Sequence, residues 1–263
     1  MNLKRTYVPR PGYADVVKAH AGGLAFAELA LLRLAPGQTY AFQARTKETA
    51  LIPLVGTCAV TAAGLGRVTV GGRRSVFDGP TGLVYIPRHG GKVEVAAVDG
   101  EVEVAVCRAP ATTACPPRLI TAAEVKQVSI GEGCYRREAL MLLDERFAAS
   151  RLFIGEAIVP GGNWASWPPH RHDFENPPEE VDMEEIYFFR FDPPHGFGFQ
   201  RVYTDDRRLD AAFAVGNNEA IIIPEGYHPV AAAPGARMYY LWVMCGDNRK
   251  FLSHKDAAFV RNA

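Results

Sequence analysis

Short apolar runs alternate with polar positions along the whole chain at the two-residue period of β-strands. AFAELALLRL (25–34), GRVTV (66–70), GLVYIP (82–87) and KVEVAAVDGEVEVAVC (92–107) are examples, each bounded by glycine, proline or aspartate. Runs this short, rich in valine, isoleucine and aromatics and punctuated this often, predict a sheet sandwich or barrel. Helical periodicity is sparse. TAAEVKQV (121–128) predicts one short helix capped by Thr121, and residues 144–150 predict a further turn. Nothing in the pattern supplies the crossover helices of a parallel α/β fold, so the predicted class is mainly β.

The alternation breaks once, at RAPATTACPPR (108–118), where small residues and prolines replace any periodic apolar face. Such a stretch reads as a linker and divides the chain into two predicted domains, 1–115 and 116–263. The halves resemble each other. GLVYIPRHGGKVEVAAVDGEVEVAVC can be laid against AIIIPEGYHPVAAAPGARMYYLWVMC (220–245), which aligns an apolar strand, an Ile-Pro pair, a turn and a strand pair ending in Cys107 or Cys245. Duplication is the simplest origin.

Composition narrows the functional classes. With 263 residues and 48% hydrophobic content the chain can bury one large core or two smaller ones. Lysine plus arginine and aspartate plus glutamate number 29 each, so no net field draws it to nucleic acid or to an anionic membrane. The first residues lack the apolar core of a signal peptide and no stretch approaches a membrane span, which makes the cytoplasm the expected location. Cys58, Cys107, Cys115, Cys134 and Cys245 are odd in number and never spaced as CxxC, against both a disulfide framework and a thiolate zinc site.

The chemistry concentrates in the second half. SWPPHRHD (166–173) holds two of only seven histidines, and on a strand His170 and His172 point the same way while Arg171 points the other. Downstream, MEEIYFFRF (183–191) opens an aromatic strand with two carboxylates. Either could solvate a strand end, but a glutamate turned into an aromatic barrel needs a partner such as a cation. His228, after the Pro-Glu-Gly turn of IIIPEGYHPV, is the candidate fourth ligand. Three imidazoles and a carboxylate suit zinc, manganese, iron or nickel, with positions left for water or substrate.

An HxH pair, a glutamate and a distal histidine resemble the metal site of the cupin superfamily, although the acidic loop DFENPPEEVDMEE makes the gap to the glutamate longer than usual. The strings PGGNWASWPPHRHD, EEIYFFRFDPPHGFGFQRVYTDD and IIIPEGYHPVAAAPGARMYYLWVM, with SVFDGPTGLVYIP and AVCRAPA in the first half, are similar to the 5-deoxyglucuronate isomerase family, bicupins of inositol catabolism related to the ketol-isomerases of pectin-derived uronates. The resemblance covers nearly the whole chain. It implies two tandem cupin barrels; the first half contributes His20 and His89 but no HxH, so it is expected to keep the barrel without the ion in a structural or dimerising role, with a homo-oligomer among the expected assemblies. It also implies a divalent cation held by His170, His172, Glu185 and His228, with Glu185 preferred over Glu184 because the family's ligand precedes an apolar-Tyr pair, here Ile186 and Tyr187.

The reaction so implied is aldose–ketose isomerisation of a small sugar acid, in which a cation polarises the carbonyl and a base moves a proton between C2 and C1. Metal-bound hydroxide, Tyr187, Tyr203 or Glu184 could be that base, and the residues alone leave it open. The substrate carboxylate calls for a guanidinium. Arg201 shares a strand face with Phe197, Phe199 and Tyr203 and is the expected partner, the other reading being an ion pair with Asp205, Asp206 or another acid. His195 and His254 read as surface residues. Two further classes stay open at this level, a cupin dioxygenase and a sugar-binding cupin without turnover.

Overall fold

The computed structural model describes residues 2–260. Among them there is no α-helix and no helix long and apolar enough to cross a membrane. The first half builds a nine-stranded sheet system around Glu28–Leu34, Lys47–Ala62, Leu83–Ile86 and Val102–Pro110. The second builds a seven-stranded sheet centred on Glu184–Asp192, Arg237–Cys245 and Leu152–Val159. Against it packs a four-stranded sheet of Trp164–Ala165, Val230–Ala232, Phe197–Tyr203 and Asp210–Gly216. The mainly β expectation therefore holds.

The predicted helix does not form. Thr121 and Glu124 make a reciprocal capping box, but it closes only the 3-10 turn Ala122–Glu124, and Lys126–Ile130 is a strand paired with Arg137–Leu143. The β-branched and alternating residues after the cap favour the sheet edge over a helix. The two halves exchange edge strands: Lys4–Thr6 pairs with Glu219–Ile223 of the second half, and Arg118–Ile120 pairs with Leu83–Ile86 of the first. Each exchanged strand covers a row of N–H and C=O groups that would otherwise lie open at a sheet edge.

Alternation along the two central strands separates the interface from the barrel interiors. Ala50, Ile52 and Leu54 join Ile186 and Phe188 in one core shared by both halves. Leu51, with Leu32, Val60, Val84, Ile86, Val93 and Val104, fills the first barrel with aliphatic side chains. The second barrel instead points Glu185, Tyr187 and Phe189 inward.

Register makes the duplication concrete. Thr49 pairs with Ile86 and Arg108, as Glu185 pairs with Ile223 and Met244, so Thr49 stands where the second barrel has Glu185. The Ile-Pro match of the sequences is correct. The cysteine match is not: Cys107 lies opposite Ala50 and thus corresponds to Val243, two positions short of Cys245.

Two carboxylates at equivalent places bind the halves to each other. Glu48, fully buried, accepts from the backbone N–H of Ser150, Arg151 and Leu152 at 2.6–2.8 Å and from the Tyr85 hydroxyl at 2.6 Å. Glu184 returns the contact, accepting from the N–H groups of Ala25, Phe26 and Ala27. Between them Arg73 donates two hydrogen bonds to Glu156, at 3.0 and 2.6 Å, and Tyr239 a third at 2.7 Å.

Candidate metal centre

The second barrel brings three imidazoles and one carboxylate together. His170 begins a two-residue strand paired with His254–Lys255, His172 continues inward from it, Glu185 faces inward from the central strand, and His228 follows the turn after Ile223. The His228 ring centroid lies 4.9 Å from that of His170 and 5.1 Å from that of His172. Glu185 Oε2 is 3.3 Å from Nε2 of both His172 and His228. The ligand atoms of His172, Glu185 and His228 all lie within 4.8 Å of one another, and half-buried His170 borders this buried group.

Each ring is oriented from behind by a backbone carbonyl. Nδ1 of His172 meets Met183 O, that of His228 meets Gly226 O at 2.9 Å, and that of His170 meets Pro168 O at 3.3 Å. A ring that donates from Nδ1 presents the lone pair of Nε2, which is the tautomer a metal ligand needs. Gly226 is itself tied down, donating its N–H to the Asp173 carboxylate at 2.8 Å. Its φ is +96°, and a Cβ there would lie 2.6 Å from Tyr203 O, so only glycine fits.

Burial, and then the neighbouring imidazoles, hold His228 well below the ordinary histidine range and push His170 down to about 3. Burial also lowers His172, but its hydrogen bond to Glu185 prevails and raises it. Burial raises Glu185. His228 Nε2 is sealed from solvent and, among the described residues, has no hydrogen-bond partner. Leaving a buried polar atom unsatisfied costs roughly 1–3 kcal/mol, a cost that a bound cation removes. Three imidazoles, a carboxylate and an orphaned ring nitrogen among them fit a divalent metal ion.

The group opens into a cavity of about 360 Å³ whose walls include Arg137, Ser166, Tyr187, Tyr240 and Trp242. Tyr187 lies with its hydroxyl 2.7 Å from Ser166 Oγ and its ring stacked on Tyr240 at 4.4 Å. Burial holds its phenol well above the usual tyrosine range.

The model of the KduI/IolB family matches residues 9–261. The chain belongs to the KduI/IolB family. Curated relatives include the 5-deoxy-glucuronate isomerase of Geobacillus kaustophilus, 41% identical over 85% of this chain and 80% of its own length. That of Bacillus subtilis strain 168 is 38% identical over 89% and 87%. An IolB-like protein of Salmonella typhimurium LT2 has a crystal structure similar to this chain at a TM-score of 0.93, with 34% identity over 99% of this chain and 98% of that one. Oxalate decarboxylase of Lactobacillus farciminis superposes at 0.71 with 11% identity, over 97% and 88%, and shows the shared bicupin fold alone.

Against the expectations for a KduI/IolB protein, His170, His172, Glu185, His228 and Tyr187 come together. Arg201 and Tyr203 do not. On Phe197–Tyr203 it is Gln200 and Val202 that are buried while Phe199 and Arg201 are exposed, the reverse of the face assigned from the aromatics. Arg201 instead forms a two-point ion pair with Asp210 at 2.8 Å. Tyr203 is buried outside the cavity, stacked on Tyr227 and donating to Asp256 at 2.7 Å, which anchors the C-terminal segment. Glu184 is occupied at the interface between halves and so is removed as a candidate base. Ser166, Tyr240 and Arg137 also line the cavity and were not among the residues expected there; Arg137 shares its strand face with Ala139 and Met141.

Proposed function

We propose that this KduI/IolB protein is a divalent-metal-dependent isomerase that converts 5-deoxy-glucuronate to 5-dehydro-2-deoxy-gluconate, with His170, His172, Glu185 and His228 as metal ligands. The observation that carries the metal assignment is the orphaned, buried Nε2 of His228, 3.3 Å from the Glu185 carboxylate. The relatives named for this reaction, at 37–41% identity over most of the chain, support the substrate. The first barrel, with Thr49 in place of Glu185, is proposed as the metal-free structural half, and the cytoplasmic location remains part of the proposal.

The reaction transfers hydrogen from C2 to C1, so that the aldehyde becomes an alcohol and the neighbouring alcohol a ketone with no external oxidant. A divalent cation held by His170, His172, Glu185 and His228 would supply Lewis-acid polarisation of the substrate carbonyl. The protein supplies the rest. Three rings anchored on backbone carbonyls through Nδ1 keep their Nε2 atoms fixed toward the centre. Tyr187, kept protonated by burial and located by Ser166, holds a proton beside the reacting carbons and can donate a hydrogen bond to an oxygen that gains charge. Tyr240 and Trp242 exclude water from that wall.

Proton NMR of the purified protein with 5-deoxy-glucuronate in deuterated water tests the proposal. The expected result is the ketose, formed without oxygen uptake, carrying deuterium at C1. Oxygen-dependent consumption, or no conversion by metal-replete protein, would overturn it.

A further inference from the structure

The isomerase reading leaves the substrate's carboxylate, at the far end from the reacting carbons, without a partner, since Arg201 lies outside the cavity. We infer that Arg137 binds this carboxylate and selects a sugar acid over a neutral sugar, an inference that rests on the isomerase reading of the same cavity. Three arginines are buried among the described residues: Arg73, Arg137 and Arg151. Arg73 is paired with Glu156 and Arg151 with Asp247. Arg137, only 8% exposed, has no carboxylate within ion-pair distance among the described residues. Because a guanidinium does not discharge by losing its proton, a buried one requires an anion.

The free edge of the group is the useful one. Nη1 donates to the backbone carbonyls of Tyr135 at 3.2 Å and Trp167 at 3.3 Å, which fixes the side chain against the segment leading to His170. Nε and Nη2 make no hydrogen bond to described residues. These two N–H groups form the side-on edge that grips a carboxylate at two points. Space is available beside them, because the next cavity-facing residue of the strand is Ala139, opposite Ala157 and then Tyr240 across the sheet. Lys126, the other cation on the cavity wall, is exposed at the rim, where water screens it.

The test separates binding from turnover. Calorimetry would measure glucuronate and glucose binding to metal-loaded wild type, Arg137→Gln, Arg137→Lys and Lys126→Gln, with metal content determined for each. Wild type should favour glucuronate by on the order of 100-fold, the advantage should vanish in Arg137→Gln, and Lys126→Gln should retain it. Arg137→Lys, which keeps the charge without the paired donors, should retain roughly a tenth and serves as the folded control should the glutamine variant fail to fold. Full preference for glucuronate in either Arg137 variant, or no preference in wild type, overturns the inference. Preference lost with Arg137 while wild type fails to turn over 5-deoxy-glucuronate would support the carboxylate receptor and reject the isomerase reading.

Discussion

Glu48→Gln tests how the two barrels hold each other. The wild-type carboxylate receives four donors, three backbone N–H groups of Ser150–Leu152 and the Tyr85 hydroxyl, in a setting closed to solvent. A glutamine at this position keeps one acceptor oxygen, good for about two of the four donors, and turns its NH2 group toward the others. Two buried donors are then left unmet at roughly 1–3 kcal/mol each, so the expected loss is about 4 kcal/mol. That is a large share of the ~5–15 kcal/mol by which a typical protein is stable. Equilibrium urea unfolding followed by tryptophan fluorescence would measure it, with Glu94→Gln as control. Glu94 is partly exposed and reaches Lys92 only at 3.9 Å, so its loss should stay below about 0.5 kcal/mol. A Glu48→Gln loss under about 1 kcal/mol would refute the reasoning, because it would mean that the donors find water or other partners after all.

Gly226→Ala should push the backbone against Tyr203 O, displace the carbonyl that orients His228, and lower metal affinity by about 10–100-fold in a competition titration with a chromogenic chelator. Glu156→Ala strands the buried Arg73 guanidinium and should cost about 3–5 kcal/mol in thermal or urea unfolding while leaving the metal content of the folded fraction unchanged. Arg201→Gln breaks an exposed pair with Asp210 and a cation–π contact with the Tyr203 ring, both outside the cavity, so kcat/KM for 5-deoxy-glucuronate should stay within about twofold and stability within ~2 kcal/mol.

Much of this organisation is legible in the chain, for reasons that differ from element to element. The strands follow from alternation, and the His170–His172 pair is visible because a two-residue period puts both rings on one side of the backbone. Glu185 and His228 become legible through motif strings rather than geometry. The face of Phe197–Tyr203 was misread because its exposed Phe197 and Phe199 look like core residues; only the four-stranded sheet around them shows that this side is outside. Arg137 was invisible because a single arginine in an apolar strand carries no mark of lacking an acid partner, a property of the folded neighbourhood alone. The strand exchange at Lys4–Thr6 and Arg118–Ile120 was equally hidden, since local sequence does not say which sheet edge a short strand will cover.

Exhaustive chelation of the purified protein, with metal counted by mass spectrometry and isomerisation of 5-deoxy-glucuronate followed by NMR, tests the central claim most directly. The account predicts that activity falls in proportion to metal removed and returns as one divalent ion per chain is restored, with no such recovery in His228→Ala. Undiminished isomerisation by metal-free protein would contradict it.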